Sequence, residues 1–254
     1  MVVVAVLAVG ALVAVRWIRG GARTVMVADV DAPSGPTVPA NPTVLRPPQG
    51  VYLYRGSGTD KLDKPPKEQS QGPTMPGTVA QQSNGCWSFR IEYSTNHWQS
   101  WEYCPAKGGL DEAGGSSFQR WNFGVMTNET TSTFRCNSPT IKADQHPGDV
   151  WKQRCTGTST GVHGTTHSDG PYRFIGTETL TIGGQRVRAY HYRRNRTTSG
   201  NQTGTERSDI WFSAEAGMPL RNVRRLEATS STVIGKVHYT EDGEFELTSL
   251  RPKR

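Results

Sequence analysis

Between Cys86 and Cys104 the chain reads CWSFRIEYSTNHWQSWEYC. Its apolar and polar residues alternate on both sides of Ser94-Thr95-Asn96, the pattern of an antiparallel hairpin. A period of two sends successive side chains to opposite faces. With those three residues as the loop, Tyr93 faces His97, Ile91 faces Gln99, Phe89 faces Trp101 and Trp87 faces Tyr103, which makes one face aromatic. The other face carries Ser88, Arg90 and Glu92 against Trp98, Ser100 and Glu102, and sets Cys86 opposite Cys104 at the open end. Cys136 and Cys155 are the remaining cysteines, and no CxxC or His-flanked knuckle is present for zinc. The spacing predicts disulfides 86–104 and 136–155. Each closes a loop worth roughly 3 kcal/mol in the chain-entropy model, and both point to an oxidising compartment.

No stretch after residue 50 carries apolar residues at helical spacing over three turns. Strand patterns recur instead at 51–57, 116–126, 130–137, 149–157, 171–182, 185–194, 204–213, 219–228, 231–240 and 243–250. Gly183-Gly184 and Asp242-Gly243 read as tight turns joining neighbours. Residues 61–77, with Pro65, Pro66, Pro73 and Pro76, read as a long loop. The expected fold is all-β: a large antiparallel meander over 50–254, forming a curved half-barrel, a barrel or a sandwich, after an N-terminal membrane helix.

That helix is expected in residues 1–18, where Val2–Val15 is an uninterrupted run of Val, Ala, Leu and Gly. The run is short of the roughly 20 residues that span a bilayer and lacks the basic region of a signal peptide. Further in-frame residues upstream of Met1 are therefore expected. Arg16, Arg19 and Arg23 follow the run, and a positive-inside count would put the large domain in the cytoplasm. The paired cysteines argue for the outer side, and we follow them: a single-pass cell-membrane protein with an extracytoplasmic domain. Residues 19–49 hold six prolines between Asp29 and Gly50 and read as a semi-rigid spacer of about 3 Å per residue.

The net charge of +7 is too small to define a nucleic-acid binder, and none is expected as a partner. The excess is C-terminal, at Arg186, Arg188, Arg193, Arg194, Arg196, Arg221, Arg224 and Arg225, a basic face suited to lipid headgroups, acidic glycans or an acidic protein.

His163-Gly-Thr-Thr-His167-Ser-Asp169 places two imidazoles and a carboxylate in one short segment. Gly164 and two threonines disfavour a helix there, so metal binding or acid/base chemistry would need a loop. No G-x-S-x-G elbow or phosphate-cradling loop occurs, no catalytic set is assigned and no cofactor is expected. Glu178, Glu206 and Glu246 are isolated carboxylates in strands. Any ligand surface is expected on the C-terminal strands near His191, Trp211 and Phe212.

The pattern Gly176-Thr-Glu178-Thr-Leu180-Thr-Ile182-Gly-Gly184, then Val187-Arg-Ala189-Tyr-His191, then Trp211-Phe212 with Gly217-Met-Pro-Leu220-Arg221, resembles the strand rhythm of LolA-like bacterial cell-envelope proteins. Over residues 171–250 the resemblance implies a curved antiparallel sheet whose concave surface holds acyl chains or a partner protein. The resulting expectation is a membrane-tethered envelope domain that binds an apolar ligand, a lipid or an envelope protein without catalysis. The alternatives are an envelope hydrolase using the His163/His167/Asp169 segment, and a structural or sensory element of an envelope complex.

Overall fold

The computed structural model describes residues 22–36, 44–124, 126–232 and 235–253. Thirteen strands follow one another: β1 (Gly50–Asp63), β2 (Pro66–Gln71), β3 (Thr74–Gln81), β4 (Trp87–Ser94), β5 (His97–Ala106), β6 (Gly109–Asn122), β7 (Thr127–Ile141), β8 (Val150–Ser159), β9 (Val162–Ile182), β10 (Gln185–Gly200), β11 (Gln202–Ser213), β12 (Pro219–Thr232) and β13 (Gly235–Leu247). From β3 onward each strand pairs antiparallel with the next, and β13 returns to β1, from Tyr54 opposite Leu247 to Leu62 opposite Tyr239. The meander therefore closes into a barrel. Its ring has an even count, because β2 and β3 lie on the same edge of β1 in one register, Gly58 facing Gln71 and Arg55 facing Thr74. They form one strand interrupted at Gly72-Pro73, which leaves twelve in the ring. Gly72 has φ 74°, and a Cβ there would lie 2.1 Å from the Gly56 carbonyl, so only glycine fits.

Residues 61–77 are thus strand and not loop. Pro65 sits in the β1–β2 turn, Pro66 opens a strand, Pro73 marks the interruption and Pro76 precedes the first pairing of β3 with β4. These are positions where a missing N–H costs the ladder little. Asp242-Gly243 is also no turn, since β13 runs through it. Asp242 pairs with Arg225, and a Cβ on Gly243 would approach the Gln71 side chain to 2.6 Å, so this glycine serves close packing. Gly183-Gly184 does turn β9 into β10, with φ of 55° and 82°. In the 86–104 hairpin the expected register holds from Trp87 opposite Tyr103 to Ile91 opposite Gln99, then shifts so that Ser94 faces His97. Both disulfides form as expected, 86–104 and 136–155.

Near the start of β1 and the end of β13 the lumen is filled by Tyr52, Tyr54, Trp87, Phe89, Trp101, Phe212 and Phe245, all buried. We call this the apolar end. The opposite, far end carries the β1–β2 turn at Lys64-Pro65; the β4–β5 turn at Thr95-Asn96 points the same way but stops lower on the wall, since Ile91 is level with Gly77 and Tyr52. On the outer wall charges pair across strands: Arg193 with Asp209, Arg221 with Glu244, Arg225 with Asp242 and Arg55 with Glu246. A barrel embedded in lipid shows an apolar band outward, and this outer wall is a water-facing one.

The membrane segment expected at 1–18 lies outside the described residues, and among the described residues no helix is long and apolar enough to cross a membrane. The described parts of 19–49 are fastened to the barrel. The Arg23 N–H donates to the Thr95 side-chain hydroxyl, and the Arg23 carbonyl accepts from the Thr95 backbone N–H. The Thr24 hydroxyl donates to the Gly72 carbonyl. At the apolar end the Trp87 indole donates to Leu45 and the Gln81 amide to Pro47.

Candidate functional site

Alternation that sends aromatic residues into the lumen also sends charged ones there. On β10, Arg194 and Arg196 share the phase of buried Tyr192; on β11, Glu206 and Ser208 share that of Ile210 and Phe212. Beyond the aromatic layer the lumen holds four carboxylates, Asp60, Glu112, Glu206 and Glu241, with three guanidinium groups, Arg194, Arg196 and Arg224, and the His97 imidazole. Glu112 accepts from Arg196 at 3.1 Å, Glu206 from Arg194 at 2.5 Å, and Glu241 lies 3.6 Å from Arg224. Gln153 joins Arg196, Ser208 joins Glu206, and Gln99 joins Arg224. With His97 protonated, charges balance four against four.

Burial opposes ionisation of Glu206, but Arg194, Arg224 and Arg196 outweigh it and hold the carboxyl far below the usual range. Burial likewise opposes the Arg194 charge, and Glu206 and Glu112 more than restore it. At Asp60 burial is again the largest single influence, yet the charge and hydrogen bond of His97, with hydrogen bonds from Tyr239 and Gln71, bring its pKa down. The reciprocal balance raises His97 despite its burial.

Asp60, His97 and Glu241 lie close enough to hold a metal ion. They are already engaged with one another, Tyr239 and Arg224, so the group is satisfied as an ion network. Glu112 also lies near Cys136 and Cys155, whose sulfurs are joined and offer no thiolate. Where the aromatic and ionic layers meet, the void bordered by Trp101, Glu112, Tyr172 and Arg194 is about 10 Å³. That is room for about one water molecule.

The three residues expected to form a ligand surface are divided by the wall. On the outer side His191 stacks on Trp211, centroids 4.1 Å apart at 18°, with Arg221 over the same indole at 5.1 Å. His191 meets Glu178 through Nδ1 at 2.6 Å and Asp209 through Nε2 at 2.9 Å, and the Trp211 indole donates to Glu178. Phe212 points into the core, edge-on to Tyr103. His163, His167 and Asp169 lie on β9, in a strand where a loop was expected. Same-face positions on a strand are about 6.6 Å apart per two residues, so the two histidines do not converge on one ligand. His167 contacts Thr156 and Asp169 pairs with Lys152. The basic cluster divides too: Arg194, Arg196 and Arg224 turn inward, Arg193, Arg221 and Arg225 pair on the wall, and Arg186 and Arg188 are exposed.

Sequence reasoning missed the ionic layer. The signal was available in the phase of Arg194, Glu206 and Asp60, each an even number of residues from a lumen aromatic.

No family profile matches the chain, and no curated protein matches it. Among solved structures it is similar to a hypothetical lipoprotein of Escherichia coli K12, at 9% identity over 77% of this chain and 88% of that one, TM-score 0.33. It is also similar to a candidate lipoprotein of Parabacteroides distasonis, at 12% identity over 83% and 99%, TM-score 0.40.

Proposed function

We propose that this chain is a non-catalytic extracytoplasmic barrel of the bacterial envelope, tethered through residues 1–18, that works by engaging a partner protein on its outer wall and not by carrying an acyl chain inside. The carrying observation is the filled lumen. An aromatic layer and a charge-balanced ionic layer leave a void of about 10 Å³ between them, and the larger concavities, about 260 and 200 Å³, are lined mostly by polar residues of β10–β13 such as Asn195, Arg207, Glu227 and His238, whereas small-molecule sites are mostly apolar and run to roughly 300–1,000 Å³. The two disulfides support an oxidising compartment. The contact surface in this reading is the His191–Trp211–Arg221 stack, because Trp and Arg are the residue types that most often anchor interfaces.

Two measurements test it. Native mass spectrometry of the barrel purified from its own host should give the bare mass of the oxidised chain, and a stoichiometric lipid adduct would overturn the filled-lumen reading. A photo-crosslinking residue at position 221 should give a discrete protein adduct in cells, while one at exposed Thr131 on the far wall should not; equal labelling from both would remove the stack from the interface.

A further inference from the structure

We propose that the outer wall of β10–β13 holds a binding site for an acidic oligosaccharide, with a sugar carboxylate on Arg207 and Arg225 and the sugar hydroxyls on the side chains around them. Alternation places the site. Asn195 lies between inward Arg194 and Arg196, Arg207 between inward Glu206 and Ser208, and Arg225 follows inward Arg224, so all three side chains point away from the lumen. Across neighbouring strands Asn195 faces Arg207, and Arg207 faces Arg225. Like charges directly opposite each other destabilise a sheet. Arg225 is compensated on its other side, where Asp242 accepts from Nε at 3.0 Å and Nη2 at 2.6 Å. Arg207 has no such relief, since among the described residues no carboxylate lies within 4.0 Å of it. Nearby, Arg193 pairs with Asp209 and Arg221 with Glu244. The opposition of Arg207 and Arg225 is thus a local cost beside matched charges, and such departures from consistency gather at functional positions.

The two guanidinium groups open on a hollow. Asn195, Thr197, Thr205, Arg207, Arg225 and Glu227 line a concavity of about 260 Å³. A second, of about 200 Å³, adjoins it through Thr205 and Glu227 and continues to Thr229 and His238. Together they cross from β10 to β13, about 14 Å at the spacing of adjacent strands. Among the described residues no aromatic or long aliphatic side chain lines the first hollow, so what makes it unfit for an acyl chain suits a hydroxylated one. Guanidinium groups grip a carboxylate through a planar fork. Threonine hydroxyls and the Asn195 amide both donate and accept, and the Glu227 carboxylate only accepts. A dense polyanion would be repelled by Glu227, whereas a sugar hydroxyl donates to it. The hollow lies four residues along β10, β11 and β12 from His191, Trp211 and Arg221, about 13 Å away. It is therefore separate from the protein contact under Proposed function and does not depend on it.

The test uses the full oxidised chain in a polyoxyethylene detergent, titrated at low salt with trigalacturonate, linked sugars that each carry a carboxylate. Maltotriose is the uncharged counterpart, and triglutamate the charged one without sugar. Trigalacturonate is expected to bind at least about tenfold more tightly than either. R207Q should weaken it by about tenfold, while R188Q, at an exposed arginine outside the hollow, should change it less than about twofold. R207Q should also leave Tm unchanged or raise it, because it relieves the opposition to Arg225. Absence of binding, or equal binding of maltotriose, overturns the proposal. Equal binding of triglutamate overturns the sugar assignment in favour of an acidic peptide, and equal losses from R207Q and R188Q replace the site with diffuse attraction. A lower Tm for R207Q makes Arg207 a structural anchor and overturns the argument from its charge.

Discussion

Glu112 on β6 meets Arg196 on β10 across the lumen at 3.1 Å, and both side chains are almost fully buried. Three strands, β7, β8 and β9, lie between them along the shorter side of the ring, so the contact ties separate parts of the wall together. Gln99 on β5 to Arg224 on β12, and Gln119 on β6 to Tyr239 on β13, do the same nearby. The lumen of this barrel is therefore spanned by polar contacts where a larger open barrel would hold water.

Breaking that tie from one side leaves a buried charge without its partner. Glu112→Gln is expected to cost about 3–5 kcal/mol, a drop in Tm on the order of 10 °C. Replacing both members, Glu112→Met with Arg196→Met, should cost less than Glu112→Gln alone, because no orphaned charge remains. Urea unfolding of the three proteins decides it. A double variant less stable than the single would mean that the pair contributes net stability beyond its own desolvation.

The ionic layer also explains where the sequence was legible. Alternation revealed the all-β class, the 86–104 hairpin and both disulfides, since a period of two and cysteines in register are local properties. Closure was not legible, because the pairing of β13 with β1 joins Tyr54 to Leu247 and no local signal encodes it. Proline and Asp-Gly were over-read as breaks. At Pro66, Pro76 and Gly243 the determining influence is which edge is already paired and what packs against the backbone, both tertiary facts. Of the expected ligand residues, alternation alone separates Trp211 from Phe212, because adjacent strand residues face opposite ways. The inward arginines were not legible as such, because a basic run on a strand has the same spacing whether its face meets an outside partner or a lumen lined with carboxylates.

The Asp60–His97 pair gives the barrel a defined pH response. Asp60 has its folded pKa lowered, so its contribution is present above the unfolded value near 3.9 and is lost as pH falls through the folded one. His97 has its folded pKa raised, so its contribution is full below the unfolded value near 6.5 and is lost as pH rises through the folded one. The pair is strongest between about pH 4 and 6.5. Thermal melts of the wild type and His97→Gln should differ most near pH 5–6 and converge toward pH 9. A gap that widens with pH would show that burial overrides Asp60 and keeps the imidazole neutral.

Each disulfide joins adjacent antiparallel strands, β7 to β8 at Cys136–Cys155, and the residue before β4 to β5 at Cys86–Cys104. Peptide mapping without reduction should recover these two links and no free thiol. Replacing either pair with serine should cost roughly 2–4 kcal/mol. The 136–155 loss should be the larger, because Cys136 lies 3.5 Å from buried Glu112 and its replacement disturbs the ionic layer as well. Equal losses would mean that the sulfur contact contributes nothing.

Trp101 and Trp211 are both nearly buried, yet they face opposite sides of the wall, and truncation should separate them. Trp101 lies in the lumen against Phe89, centroids 5.9 Å apart, beside a void of only about 10 Å³. Trp101→Ala should therefore cost about 3–5 kcal/mol through lost burial and a cavity. Trp211 is covered by His191 and Arg221, polar side chains that water can re-solvate once the indole is gone. Trp211→Ala should cost less than half as much in stability, while abolishing the cross-link from position 221 if the stack is the contact surface. Chemical denaturation and the cross-link, measured side by side, read the two roles independently. A Trp211 variant as unstable as the Trp101 variant would make the outer stack a clamp on β10–β12, and a stable one that still cross-links would move the partner elsewhere on the wall.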